Sequence, residues 1–266
     1  MQTLIPLADD FNLEKILKYK PFFFFFGTNS ERTIIHKGEP LRLSFTQKHN
    51  SLVIEFNREI NSLEQKQIAD RISFGLGAQE VLSEFYGIAK NDKVLKNFSD
   101  VIYGNRLLSA YDDFEALVSI IASQNVTFAQ YKKMVGKIVD AFGGGEYFPT
   151  ALEVLQKKEL LKECGLGYRT EFIENIAEHM RFRNCADLDT LHTVKGIGPY
   201  SLDIFRLFQL RDYNAFYVDV LIKKIFRENY GFEWEIDKDV REFAKMKFGK
   251  FQGLAEIYLQ KFLNDV

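Results

Sequence analysis

Cysteine and tryptophan are scarce in this chain: its 266 residues include two cysteines and one tryptophan, along with only five prolines and four histidines. Cys164 and Cys185 fall short of a disulfide framework and of a four-thiolate zinc or iron–sulfur site, so both are expected as reduced, buried thiols. An excess of charge of one sign is also missing. The net charge of −2 argues against a chain that coats nucleic acid through bulk positive charge, leaving only a local basic face for phosphate contacts. No eighteen uncharged apolar residues follow one another, and the opening MQTLIPLADDFNLEKIL has no basic segment leading into an apolar run. A cytoplasmic protein with no membrane partner is therefore expected.

What is present is apolar and aromatic. Hydrophobic residues make up 46% of the chain, and the 26 phenylalanines and 12 tyrosines are spread along its length, as expected of side chains that fill a core. Residues 1–77 read as an antiparallel β domain. Short apolar segments at 22–26 (five consecutive phenylalanines), 33–36, 41–45 and 51–56 alternate with turn residues such as Gly27-Thr28-Asn29, Gly38 and Lys48-His49-Asn50. Residues 63–74 then read as a helix closed by Gly75 and Gly77. From residue 78 to 266 the apolar period is helical, in AQEVLSEFYGIAKND, DDFEALVSIIASQ, FAQYKKMVGKIVDAF, RTEFIENIAEHM, YSLDIFRLFQL, VDVLIKKIFREN and LAEIYLQKFL. The predicted class is α+β, an antiparallel sheet domain followed by an all-α domain. No repeat and no low-complexity linker separates the two parts, so they are expected to pack together.

The chemically informative stretch is residues 191–219, LHTVKGIGPYSLDIFRLFQLRDYNAFYVD. A helix ends near Leu191, the chain turns through Gly196-Ile197-Gly198, and a second helix begins at Pro199. The glycines permit a tight turn, Ile197 anchors it, and backbone amides at the start of the second helix can receive a phosphate. Glycine turns of this kind also serve as plain connections. Asp219 then follows an apolar run at the head of the next helix, where an N-cap is its structural role.

These residues resemble those of the helix-hairpin-helix DNA glycosylases, in which a Gly-hydrophobic-Gly hairpin is followed by a helix and, about twenty residues on, an essential aspartate. The segments EALVSIIASQNVTFAQYKKMVGKIVDAFG and ECGLGYRTEFIENIA are similar to two further family segments. The β-rich N-terminal third resembles the domain carried by the 8-oxoguanine and type II 3-methyladenine branches. The resemblance implies a base excision repair enzyme acting as a monomer on double-stranded DNA that contains a damaged base. It implies Asp219 as catalytic carboxylate and Lys195, Gly196, Ile197 and Gly198 as phosphate contacts. Gln124 and Asn125 would fill the gap left by the flipped base, and Arg169 would touch the DNA. Tyr200, Tyr168 and Trp234 would face the base pocket. It also implies no required cofactor beyond a monovalent cation at the hairpin carbonyls.

Departures from the family pattern choose the branch. Where lyase members carry a nucleophilic lysine, two residues past the second hairpin glycine, this chain has Tyr200, which cannot form an imine. Lys195 precedes the turn, and Lys223 is expected as an ion-pair partner of Asp219. The Gly-Gln pair of the 8-oxoguanine branch is replaced by Tyr19-Lys20, and Leu221 stands where that branch has histidine. Tyr217 replaces a frequent proline. The missing C-terminal cysteine cluster excludes the endonuclease III subgroup. The resemblance thus implies a monofunctional glycosylase for alkylated purines. The alternatives are a bifunctional 8-oxoguanine glycosylase/lyase and a catalytically silent DNA-binding module.

Overall fold

The computed structural model describes residues 1–19, 22–23, 30–183 and 185–264. Four strands, β1 (Gln2–Pro6), β2 (Glu31–His36), β3 (Glu39–Lys48) and β4 (Ser51–Phe56), form an antiparallel sheet in the order β1-β4-β3-β2. Along β3, Leu41, Leu43 and Phe45 are buried while Arg42 is exposed, the period-two pattern of a sheet with one covered face. Lys37 and Gly38, both at positive φ, close the β2–β3 hairpin.

Among the described residues, thirteen α-helices accompany the sheet. The first four are α1 (Leu13–Tyr19), α2 (Ser62–Leu76), α3 (Ser83–Asn91) and the single turn α4 (Ser99–Ile102). Next come α5 (Asp113–Ser123), α6 (Phe128–Gly143), α7 (Ala151–Gln156), α8 (Arg169–Met180) and α9 (Leu188–Leu191). The last are α10 (Pro199–Phe208), α11 (Val220–Ile225), α12 (Asp237–Phe248) and α13 (Gln252–Asn264). Two of them are buried almost all round: α5 from Asp113 to Ala122, and α13 through residues 252–259. They form the centre against which amphipathic helices such as α6 and α10 lay their apolar stripes.

Several local expectations are corrected. Phe22 and Phe23 belong to no strand, and Phe24, Phe25, Phe26, Lys20 and the Gly27-Thr28-Asn29 turn lie outside the described residues. The sheet instead gains β1, which pairs with β4, and α1 follows β1 within the β-rich part. Gly75 lies inside α2; Gly77 alone forms the left-handed cap, with φ +60° and its N–H donating to Phe74 O. Cys164 is buried but Cys185 is exposed. Helix α12 carries just three buried side chains, Val240, Ala244 and Phe248, a stripe of spacing four on an otherwise charged surface. So sparse a stripe explains why its period is faint in the sequence.

Buried ion pairs fasten the loops that lead to the functional region. Arg211, itself at positive φ, grips Glu80 through two bonds of 2.6 and 2.8 Å, and Tyr213 Oη donates to the same carboxylate. Burial alone would push Glu80 upward, but Arg211 and Tyr213 outweigh it and hold the group below the ordinary range. Arg32 on β2 pairs with Glu115 on α5, both side chains almost wholly buried, which ties the sheet to the central helix.

Candidate active site

The hairpin connects α9 to α10 through Val194, Lys195, Gly196, Ile197 and Gly198. Gly196 has φ +100°, and a Cβ there would lie 2.5 Å from Phe172 Cγ, so both conformation and space demand glycine. Ile197 is buried and pins the turn to the core. Gly198 differs: its φ is −107°, it precedes Pro199 at the first position of α10, and a Cβ would meet nothing within 4 Å. This side of the turn is open at the N-terminus of a helix. Lys195 is exposed and pairs with Glu171 at 2.6 Å.

Asp219 sits at the head of α11, with extended backbone and its Oδ1 accepting the Ile222 N–H at 2.8 Å. It is therefore a helix cap by geometry. Its second oxygen is engaged elsewhere: Gln260 Nε2 on α13 donates to Oδ2 at 3.4 Å. Burial raises the Asp219 pKa above the ordinary aspartate value, and the amides of Ile222 and Leu221, with Gln260, offset this only in part. The preceding segment, Ala215, Phe216 and Tyr217, is buried. It lies tightly against α13, since a Cβ on Gly253 would come within 2.0 Å of the Ala215 carbonyl oxygen. Gly253 is thus what allows α13 to bring Gln260 up to Asp219.

Beside this carboxylate lies a cavity of about 300 Å³ with a largely aromatic wall. Phe22 stacks between Tyr131 and Phe208, at 5.1 and 5.3 Å between ring centroids and near-parallel planes. Tyr200 meets Tyr217 edge-on at 5.3 Å. Phe128, Gln260 and Lys261 complete the parts of the lining that carry chemistry. Asp219 is not itself a lining residue; its carboxylate is reached through Gln260 and lies near Tyr200 and Tyr217, whose phenols it pushes upward after burial does so.

The residues expected at the site divide. Tyr200 lines the cavity and Asp219 adjoins it, whereas neither Tyr168 nor Trp234 is part of the lining. Tyr168 is half exposed under the Arg169 guanidinium, and Trp234 packs with Arg227. Arg169 is buried and spends its guanidinium on the carbonyls of Gln124 and Leu166, so it braces the end of α5 rather than presenting itself to DNA. Gln124 also turns inward, donating to Gly196 O at 2.9 Å and Ser201 Oγ at 3.0 Å. Asn125, exposed and at φ +52°, is the residue that projects. Lys223 pairs with Asp237 in place of Asp219. Phe22, Phe128, Tyr131, Gln260 and Lys261 went unrecognised in the sequence. Only Gln260 carried a signal, as an uncharged polar residue one turn after Glu256 in an apolar helix. Among the described residues, no cluster of three or more His, Cys, Asp or Glu could hold a metal, and no helix is long and apolar enough to cross a membrane.

A hairpin with an open amide face, an aspartate capping the next helix but one and an aromatic cavity lined by Tyr200 of the intervening helix thus lie in one region of the fold. Residues 118–250 match the HhH-GPD superfamily of base excision DNA repair proteins, and the chain belongs to that family. It is a DNA glycosylase of base excision repair. It is 28% identical to a probable N-glycosylase/DNA lyase of Methanothermobacter thermautotrophicus over 73% of this chain and 74% of that protein. Among solved structures it resembles the 3-methyladenine DNA glycosylase from Archaeoglobus fulgidus, with TM-score 0.78 and 25% identity over 99% of this chain and 98% of that one. The fold is also shared with the Clostridium acetobutylicum 8-oxoguanine glycosylase/lyase, at TM-score 0.72 and 23% identity over 98% and 95%.

Proposed function

We propose that this enzyme is a monofunctional glycosylase that draws an alkylated purine into the aromatic cavity and hydrolyses its N-glycosidic bond, with Asp219 as the catalytic carboxylate. The observation that carries the reading is Tyr200, which lines the cavity near Asp219 where lyase members of the family hold their lysine. A phenol forms no imine, so the sugar is left without a covalent partner at that position. The part-exposed ring of Tyr200 suits a cationic purine, with a cation–π gain of about 0.5–2 kcal/mol, while Phe22 and Tyr131, stacked on each other, form the apolar wall of the cavity. Such a base already carries the charge that makes it a good leaving group. Asp219 then stabilises the oxocarbenium character at the sugar and orients the attacking water.

Double-stranded DNA is the proposed substrate, with the strand held by the amides around Gly198, Asn125 entering the space the flipped base leaves, and the cost of flipping lowered at a damaged pair. All the residues invoked come from one chain, consistent with a monomer. A monovalent cation at the hairpin belongs to the same proposal: Val194 O accepts from Ile197 N–H and Gly196 O from Gln124, and each carbonyl keeps a second lone pair. The division of the chain at residues 77 and 78 and a cytoplasmic location are proposed with it.

One observation favours a second reading. Lys261 lines the same cavity, so an amine does border it, and a lyase that uses Lys261 would follow from that placement. Borohydride trapping on duplexes carrying 3-methyladenine, hypoxanthine or 8-oxoguanine separates the two. The monofunctional enzyme releases free base, leaves an intact abasic strand and gives no adduct. A stoichiometric adduct that disappears in Lys261→Ala would replace it with the lyase.

A further inference from the structure

A second carboxyl group stands near Asp219 and, unlike Gln260, is not part of the cavity lining. Glu256 on α13 has no exposed surface, and its Oε1 accepts from Gln260 Nε2 at 3.2 Å. The same Gln260 amide nitrogen donates to Asp219 Oδ2, while Gln260 Oε1 accepts the Tyr217 phenol at 3.1 Å. Gln260 therefore has both its amide donors and its acceptor committed, one donor to each carboxyl group. Glu256 Oε2 is buried with no hydrogen-bond partner. The unpartnered oxygen and the neighbouring Asp219 carboxylate both disfavour the ionised form there.

We propose, on the reading that Asp219 is the catalytic carboxylate, that Gln260 and Glu256 are positioning residues: Gln260 holds Asp219 Oδ2 in direction, and Glu256, as a neutral acid, holds Gln260. The arrangement gives the site a single negative charge, on Asp219, where the positive charge of the reaction develops. Asp219 at the head of α11 and Asp203 on α10 push Glu256 upward; the Tyr217 backbone N–H and Arg241 on α12 pull it down, and Arg241 is already paired with Asp203 at 2.8 Å and donates to Phe216 O. Burial is the largest influence and places Glu256 well above the usual carboxylate range. Two carboxyl groups bridged by one amide thus stand in unlike environments, with the wholly buried Glu256 pushed further upward than Asp219.

The test is a 13C carboxyl NMR titration of Asp219 and Glu256 in the full-length protein, with Gln260→Leu and Glu256→Gln, together with base release from dimethyl sulfate-treated duplex DNA. Gln260→Leu removes a donor from the Asp219 carboxylate and should raise its midpoint by about one pH unit or less, slowing base release about tenfold with DNA affinity little changed. Glu256→Gln keeps a neutral acceptor and should leave the Asp219 midpoint where it is. If the leucine variant does not fold, Gln260→Glu preserves shape and should raise the Asp219 midpoint further. An Asp219 midpoint that ignores both Gln260 variants overturns the relay. So does a Glu256 that titrates in the ordinary carboxylate range while Glu256→Gln lowers the Asp219 midpoint. The titration needs no turnover, so a failure of the glycosylase chemistry, seen as an active Asp219→Asn, is a separate result.

Discussion

The Gln124 side chain donates to the carbonyl of Gly196, 72 residues further along the chain, at 2.9 Å. The end of α5 and the hairpin are therefore tied together, and Gln124 is spent on holding them. Gln124→Ala should loosen the hairpin and weaken binding to damaged and undamaged duplex alike. Asn125→Ala should leave plain-duplex affinity near normal and impair base flipping, measured by 2-aminopurine fluorescence opposite a lesion. A plain-duplex affinity unchanged in Gln124→Ala contradicts the first expectation, and unimpaired flipping in Asn125→Ala the second.

Replacing Asp219 by asparagine separates its capping role from the proposed catalytic one. Asparagine caps helices as well as aspartate, so α11 is kept while the charge is lost. Base release should fall by at least about a hundredfold. The folded pKa is raised, so burying the ionised carboxylate costs stability at pH values above its unfolded pKa. The asparagine variant should consequently melt no lower than the parent at pH 7. For the same reason the acid limb of the single-turnover rate should lie above the ordinary aspartate pKa, activity being lost as pH falls through the raised value. A variant with near-normal turnover would reduce Asp219 to a cap.

The two hairpin glycines should fail in different ways. Gly196→Val forces a left-handed backbone on a β-branched residue and drives its Cβ into Phe172, so thermal stability should drop. Gly198→Val meets no protein atom within 4 Å and should fold normally, yet lose DNA affinity regardless of sequence, because it blocks the open amides. Full affinity of a well-folded Gly198→Val for plain duplex would refute the phosphate-holding role.

The Arg32–Glu115 pair should matter for stability rather than chemistry. Both side chains are almost inaccessible, so Glu115→Leu takes the carboxylate away from a buried guanidinium, at a cost of about 3–5 kcal/mol. Urea denaturation checks this, and a loss below about 1 kcal/mol would show that the pair is not needed to join sheet and helices.

Much of this protein was legible in the sequence because it rests on local rules. Short apolar segments at 41–45 and 51–56 bounded by turn residues yield strands of the sheet, and the seven helical segments follow from their apolar period. Gly196-Ile197-Gly198 and Asp219 are recognisable because hairpin turns and helix caps are made by neighbours along the chain. The roles of Gln124, Arg169 and Lys223 were not legible, since their partners lie 72, 45 and 14 residues away, and a polar side chain reads alike whether it reaches for DNA or for a distant carbonyl. The cavity wall is the extreme case. Phe22, Tyr131, Tyr200 and Lys261 are spread over 240 residues, and nothing in their local patterns distinguishes a ring that fills the core from one that bounds an empty space. Only the tertiary arrangement of α6, α10 and α13 around that space, with Gly253 permitting the close approach of α13 to the Ala215 backbone, decided where it would lie and that Asp219 would stand beside it.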